Sequence, residues 1–422
     1  VWFVLAMSIR RDLNYPQTLN WMISGFRWMQ KVVPPSSSIV KEGALTHARV
    51  RIGSNVFKHL FYKVVGKLGA LKADFHGLST VLFDGTCATM PDSKENTHKF
   101  GKASSRKGSA AFPQVRIMSL MAMSARVILD VAYAPYRGKK TGERALLAKI
   151  VNRIHRTDLL FVMDAGLYAF NIIQDFAQRG QYFIIKVPSH VKLKFVDGLP
   201  DGSFIARVSE KIEDFDKPLT RSGRKHWKTV SLTVRVIRIH IPGFQPFALM
   251  TNIFDQDISA HEMALHYHKR WDIEIAYDEI KTHQCARLQG QTPTTFRSKR
   301  PDLVEQELYA TLIMYNSIRL MIAQAAEEHG KDPRFVSFLD SLHHIVEAAP
   351  LMAIEGEKQM ESSYSYLLKV IGHASIDRPR RQRTNPRVIK TKISKFERKK
   401  PHHKSEKRDI ENEMIILRCK NE

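Results

Sequence analysis

Residues 79–187 predict an α/β fold with a mixed sheet, and three observations carry that expectation. Short apolar runs rich in β-branched and aromatic residues alternate with amphipathic helical stretches. Their order is three strands, then helix, strand, helix, strand, which calls for parallel as well as antiparallel pairing. The flanking segments differ in kind. Residues 190–250 read as a β-rich insertion, and both ends of the chain read as helical.

The elements follow in chain order. Residues 1–31 carry apolar residues at helical spacing on both sides of Asn14-Tyr15-Pro16, and Pro34–Ser38 breaks the pattern. Residues 40–72 are expected to be helical again, although Gly53, Gly66 and Gly69 weaken the pattern. Thr80–Asp84 reads as a short buried strand that ends in Asp and turns at Gly85-Thr86. Gln114–Ala122 and Arg126–Tyr133 read as two more strands with a turn near Ser124, and Gly142–His155 as a helix. Asp158–Met163 is a second apolar strand ending in Asp, here Asp164-Ala-Gly166. The helix Leu167–Arg179 and the strand Tyr182–Val187 follow. In the insertion, Ser231–Ile241 is long and β-branched, and Ser203–Ser209 and Pro246–Thr251 are candidates to pair with it. Ser259–His283 and Leu303–Glu328 read as two long helices, with helical pattern continuing to about Gly372.

This organisation gives five regions: residues 1–75, helical; 76–189, the first part of the α/β core; 190–255, the β-rich insertion; 256–330, the second part of the core; and 331–422, helical and then a basic tail.

Charge narrows the partner. The 422 residues hold 66 Lys and Arg against 42 Asp and Glu, a formal net charge of +24. A surplus of that size points to a polyanion, and nucleic acid is the commonest one. Residues 378–408 hold 14 Lys or Arg and 2 Glu, a net +12, so half of the excess lies in the tail and half is spread over the body. Three widely separated cysteines, Cys87, Cys285 and Cys419, give neither zinc spacing nor a disulfide framework, which fits a reducing compartment. No apolar run reaches the length of a membrane span, and the start Val1-Trp-Phe-Val-Leu-Ala-Met lacks the basic segment of a signal peptide. It also lacks an initiator Met, which reads as a fragment or a trimmed N-terminus.

Two acids, Asp84 and Asp164, are expected at the C-terminal ends of apolar strands, where open α/β sheets bind ligands. An acid there is partly desolvated and needs a cationic partner, and a divalent metal with substrate phosphate is one. A capping or turn role, suggested by the glycines close behind, is the structural alternative for each. On the helix at 261–283, Tyr267, Arg270, Glu274 and Lys281 fall within an arc of about 60° at about 100° per residue. A solvated charged stripe gives the same arc. The mixture of one acid, two bases and a tyrosine, beside the bulky Trp271, Ile273, Ile275 and Ile280, suits a metal-phosphate site better. Other acids read as structural: Glu143 as a helix-opening acid suited to the dipole, Asp92 and Glu95 as loop residues, Asp272 as facing away from Glu274. Asp278 falls closer to the Glu274 face. His266 and His268 point to different faces and make no joint metal site.

Tyr267-x₂-Arg270-x₃-Glu274-x₆-Lys281 matches the YREK signature of the IS4 family of bacterial DDE transposases, which the chain resembles from about residue 1 to 330. Asp84-Gly-Thr with Pro91-Asp92, Asn96, Phe100-Gly101 and Phe112-Pro113-Gln114 is similar to the family's first-acid region, and Met163-Asp164-Ala-Gly166-Leu-Tyr168 to its second. The resemblance implies a ribonuclease-H-like fold, with Asp84 on the first strand, Asp164 on the fourth and Glu274 on the helix after the insertion. It implies that these three acids are catalytic and hold two Mg²⁺ or Mn²⁺ ions for cleavage and strand transfer at the ends of an insertion sequence. Arg270 and Lys281 would contact end phosphates, and Tyr267 would position a phosphate near the cut. Trp227, the sole Trp of the insertion, is a candidate to stack a flipped base; a packed β-domain Trp is the plainer reading. Double-stranded DNA, as transposon ends and target, is the implied partner, with a dimer in the synaptic complex and no membrane. The implied setting is the cytoplasm of a bacterium, at the nucleoid. A catalytically inactive DNA-binding derivative and a nuclease of the same fold without strand transfer are the other readings.

Overall fold

The computed structural model describes residues 1–24, 40–67, 71–105, 108–214, 225–285, 294–376, 383–384, 406–407 and 409–418. The expected break at Pro34–Ser38, Cys419 and most of the basic tail lie outside them. The chain forms two compact units. One comprises Val1–Phe183 with Lys269–Ile376, the other Ile184–His268 with Asp377–Glu422.

The first unit begins with helices α1 (Trp2–Ile9), α2 (Tyr15–Met22), α3 (Glu42–Ile52) and α4 (Asn55–Lys67). α2 starts at a reciprocal cap between Asn14 and Gln17, which satisfies two backbone N–H groups of its first turn. The single helix expected over 40–72 is two, because Gly53 adopts φ +72 and ends α3.

The sheet is built next. β1 (Ser79–Thr89) is followed by α5 (Lys94–Phe100), β2 (Lys102–Ser105), β3 (Gly108–Ala122) and β4 (Val127–Pro135). Helix α6 (Glu143–Val151), β5 (Leu159–Met163), α7 (Phe170–Gln178) and β6 (Tyr182–Lys186) complete it. β1 pairs antiparallel with β3, β3 with β4 and β2, and β1 pairs parallel with β5. The strand order is β4-β3-β1-β5, with β6 next, and α6 and α7 make the crossovers. Three antiparallel strands extended by parallel addition at the first strand is the ribonuclease-H-like order. All five residues of β5 are buried, as expected for a parallel strand covered on both faces. The expected strands at 114–122, 126–133 and 158–163 are all present.

β1 is longer than the expected Thr80–Asp84. It continues to Thr89 because β3 carries the antiparallel ladder past Asp84↔Ser119 to Thr89↔Gln114. Asp84 therefore lies in mid-strand.

In the second unit, the last residues of β6 pair with β10 (Phe247–Thr251). The order continues through β9 (Trp227–His240), β8 (Phe204–Glu213) and β7 (Leu193–Gly198), all antiparallel. The expected pairings of 203–209 and 246–251 with the long central strand are present; β7 had no clear sequence signal. The strand Ile415–Ile416 adds to β9 beyond the point where β8 stops. α8 (Ala260–His268) ends this unit's main stretch. Arg235, fully buried, ties Asp201 to the carbonyls of Asp255 and Ile258 just before α8.

The chain then re-enters the first unit through a 3₁₀ turn at Lys269–Trp271, helix α9 (Asp272–Asp278) and a π-helical turn at Glu279–Gln284. α10 (Pro301–Glu328) starts with Pro in its first turn and runs 28 residues through the core. Its Asn316 side chain pairs with both the N–H and the C=O of Ile128, at 2.9 and 2.8 Å, beside a bulge between β3 and β4. α11 (Phe338–Met352) and α12 (Glu357–His373) pack behind it. Among the described residues, no helix is long and apolar enough to cross a membrane.

Candidate active site

The parallel register places the two aspartates. Val81 pairs with Phe161 and Leu82 with Val162. Asp84 and Asp164 each lie two residues beyond that last pair, Asp84 still within β1 and Asp164 at the turn that follows β5. Neither acid acts as the cap proposed as its structural alternative. Asp164 precedes the 3₁₀ turn Ala165–Leu167 in extended conformation, but its side chain makes no cap hydrogen bond. Asp84 sits inside a ladder, and its carboxylate accepts the N–H of Gly85 at 2.8 Å.

Asp84 is the electrostatic centre of the site. Burial pushes its carboxyl up to about 6, and the charges of Glu274 and Glu143 add to that rise. The Gly85 N–H and the Arg270 guanidinium work in the opposite direction. Glu274 on α9 thus faces the same space as Asp84, from a half-exposed position. It lies 3.6 Å from Arg270, which is almost fully buried and stacks over the Trp271 ring. Arg270 Nε is buried without a hydrogen-bond acceptor.

Two further contacts dock this segment on β1. The Tyr277 hydroxyl donates to the Asp84 carbonyl at 2.7 Å, and Lys281 Nζ donates to Thr86 Oγ1. Burial lowers the Lys281 ammonium from its ordinary range, against the pull of Cys87, Asp84 and Cys285.

The single helix expected over 259–283 is not continuous, so a uniform 100° per residue does not describe it. The 3₁₀ turn tightens the chain before Glu274 and the π turn widens it after. The four signature residues therefore do not form one stripe. Tyr267 is buried at the end of α8 in the second unit. Arg270 is buried, Glu274 is half-exposed and Lys281 half-buried in the first. Trp227 corrects the plainer reading of a packed Trp: it opens β9, opposite Glu213, and is 62% exposed.

Two residues were missed as members of the site. Glu143 opens α6, as its sequence position suggests, and it also lies over Gly85. A Cβ on Gly85 would come within 2.9 Å of the Glu143 side chain. Gly85 directly after Asp84 was the available signal. Tyr277 lies one helical turn after Glu274 and reads as core from sequence. Asp272, set aside as facing away, is buried and paired with Arg126 at 3.1 Å.

Carboxylate oxygens suit a hard divalent cation, and the missing side chain of Gly85 lets the Glu143 carboxylate approach the strand next to Asp84. Among the described residues, no three His, Cys, Asp or Glu side chains are gathered closely enough to form a ready-made ion cage. The fit therefore lies in the donor chemistry and in the mutual repulsion of Asp84 and Glu274, which a cation would relieve.

The chain is similar to known proteins along most of its length. The transposase DDE domain family matches residues 75–317, and the insertion element 4 transposase N-terminal family matches residues 1–62. The chain is 25% identical over 413 residues to the transposase InsG for insertion sequence element IS4 of Escherichia coli strain K12, covering 94% of this chain and 85% of that one. Among solved structures, the piggyBac transposase synaptic complex with hairpin DNA, determined by cryo-EM, is similar at 7% identity and a TM-score of 0.42, over 88% of this chain and 75% of that one. With the DDE domain spanning more than half of its length, this chain belongs to the transposase DDE domain family and is a DDE transposase of the IS4 type.

Proposed function

We propose that the enzyme cuts and joins double-stranded DNA at the ends of its own insertion sequence, with Asp84, Asp164 and Glu274 as its metal-holding carboxylates. The observation that supports this most is that the charge of Glu274 on α9 acts on Asp84 in β1, with Asp164 directly after β5, the parallel neighbour of β1. A divalent ion, Mg²⁺ or Mn²⁺ and two per site, would supply charge stabilisation at the phosphoryl group and a nucleophile at neutral pH.

The protein's own groups do the positioning. Arg270 and Lys281 lie on either side of Glu274 in sequence, Arg270 buried and Lys281 half-buried, where attraction to a phosphate is screened less than in open water. They are suited to hold phosphates flanking the cut bond, and the buried guanidinium of Arg270 gives planar two-point contact. Tyr267 is the proposed contact to a phosphate near the cut. The exposed ring of Trp227 has the free π-face that stacking of an unpaired base requires. Joining two ends asks for two copies of the chain on DNA, working at the bacterial nucleoid.

The test uses labelled duplexes carrying the inverted repeats that flank the chain's own coding sequence, incubated with wild type or Asp164→Ala and Mg²⁺ or Mn²⁺. Nicks, hairpins or joined products that need metal and vanish in Asp164→Ala are expected. Binding without any cleavage, even in Mn²⁺, would overturn the catalytic reading and leave a DNA-binding protein.

A further inference from the structure

Arg126, Asp272, Glu279 and Arg319 form a set of buried charges around the segment that carries Glu274. Arg126 lies in the turn between β3 and β4, is 1% exposed, and holds φ +55. That is the left-handed region, which disfavours a side chain, so a residue retained there is held by its surroundings. Its two terminal nitrogens reach two carboxylates on the segment that carries Glu274: Nη2 donates to Asp272 at 3.1 Å and Nη1 to Glu279 at 3.2 Å. Both carboxylates are nearly inaccessible.

Each acid has further partners. The Tyr315 hydroxyl donates to the other oxygen of Glu279 at 2.8 Å. Arg319 lies 3.6 Å from Glu279 and donates through Nε to the carbonyl of Ala125, the residue before Arg126. Arg334 approaches Asp272 at 3.7 Å. Asp272 is the first residue of α9, and Glu279 the first of the π turn. The anchored acids therefore mark where the 3₁₀ turn becomes α-helix and where the α-helix widens. Glu274 lies between them, two residues after one and five before the other. On an α-helix, a residue two positions from a buried anchor points to the opposite side.

We infer that Arg126 is a positioning residue for the reaction. By gripping Asp272 and Glu279 with one planar guanidinium, it fixes the rotation and length of the Glu274 segment, and so holds Glu274 toward Asp84 and Lys281 against Thr86. This rests on the catalytic reading above, and the experiment separates the two.

Arg126→Lys keeps a cation but offers one ammonium where a fork met two carboxylates. Relative to wild type on the same inverted-repeat duplex, single-turnover cleavage is expected to fall about 10–100-fold and the half-saturating Mn²⁺ concentration to rise. Affinity for that duplex in Ca²⁺ stays within about twofold. The rise in melting temperature on adding Mn²⁺, which needs no activity, shrinks in the variant. Tyr315→Phe removes one hydrogen bond to Glu279 and keeps the ring. It is expected to shift both Mn²⁺ readouts in the same direction by a smaller amount, and it decides the matter if Arg126→Lys does not fold. Unchanged Mn²⁺ dependence in a folded variant, or cleavage lost only in proportion to the folded fraction measured by circular dichroism, would overturn the inference. If wild type does not cleave, the catalytic reading fails, and the Mn²⁺-induced shift of the two variants still judges the clamp.

Discussion

Gly85 has no side chain, and Glu143 occupies the space that one would take. This is a small-residue requirement of close approach, since Gly85 does not need the left-handed backbone. In Gly85→Ala the new Cβ would meet Cγ and Cδ of Glu143 at 2.9 Å, and a flexible, exposed side chain yields more readily than β1. The variant should stay folded, with a stability change under about 1 kcal/mol by urea titration. Its cleavage rate should nevertheless fall by roughly tenfold, because the Glu143 carboxylate is displaced beside Asp84. A rate equal to wild type would show that the placement of Glu143 has no part in the chemistry. Gly53 is the opposite case. Nothing lies within 4 Å of its missing side chain, but φ is +72. Gly53→Ala should therefore lower stability by about 1–3 kcal/mol through backbone strain alone, because φ +72 with ψ 173 is open essentially to glycine only, read from the urea midpoint. Loss of activity without that shift would contradict the explanation.

At the scale of elements, the N-terminal helices are joined to α10 by one buried acid. Glu307 lies 3.3 Å from Arg11 on the α1 side and 3.7 Å from Arg49 of α3, and it accepts from the N–H of Arg297. Burial by itself would push its carboxyl up, and the charges of Arg11, Arg49 and Arg297 reverse this, leaving it below the ordinary carboxylate range. A depressed folded pKa adds stability above the ordinary value near 4.5, and that contribution is lost as pH falls through the depressed value. Glu307→Gln leaves arginines buried without their counter-charge and should cost about 3–5 kcal/mol at pH 7. The difference in melting temperature between wild type and variant should narrow as pH is lowered toward 3. A constant difference would show that the ion pairs are not its source. The same scale shows what was legible beforehand. β3, β4 and β5 could be read because apolar runs with β-branched residues have few other uses. The segment from α8 to the π turn could not, because its changes of pitch fall at Asp272 and Glu279, which both pair with one residue, Arg126, 146 and 153 positions away. Spacing made Glu274 a candidate, since it fixed the order of residues. Its angles failed because it assumed one helix. The plainer reading of Trp227 as a packed residue failed differently: aromatic β-residues usually pack, and only the pairing shows that this one opens an exposed hairpin end.

Over the whole molecule, the distribution of charge sets how the enzyme meets DNA. The tail at 378–408 carries 14 of the 66 basic residues and only 2 acids, so it supplies half of the net +24. Base-independent phosphate contact is the natural use of such a segment, and each neutralised phosphate steepens the salt dependence of binding by about 0.9 in the log–log slope. Changing Arg387, Lys390, Lys392, Lys395, Arg398, Lys399 and Lys400 to Gln should weaken binding to any duplex and flatten that slope by several units between about 50 and 200 mM salt. Discrimination between inverted-repeat and unrelated DNA should then rise, because the sequence-blind part of the affinity shrinks while contacts of the body remain. Filter binding across a salt series on both duplexes measures all three quantities. An unchanged slope would mean that the tail does not touch phosphate, and the +12 outside it would then have to account for the whole electrostatic attraction.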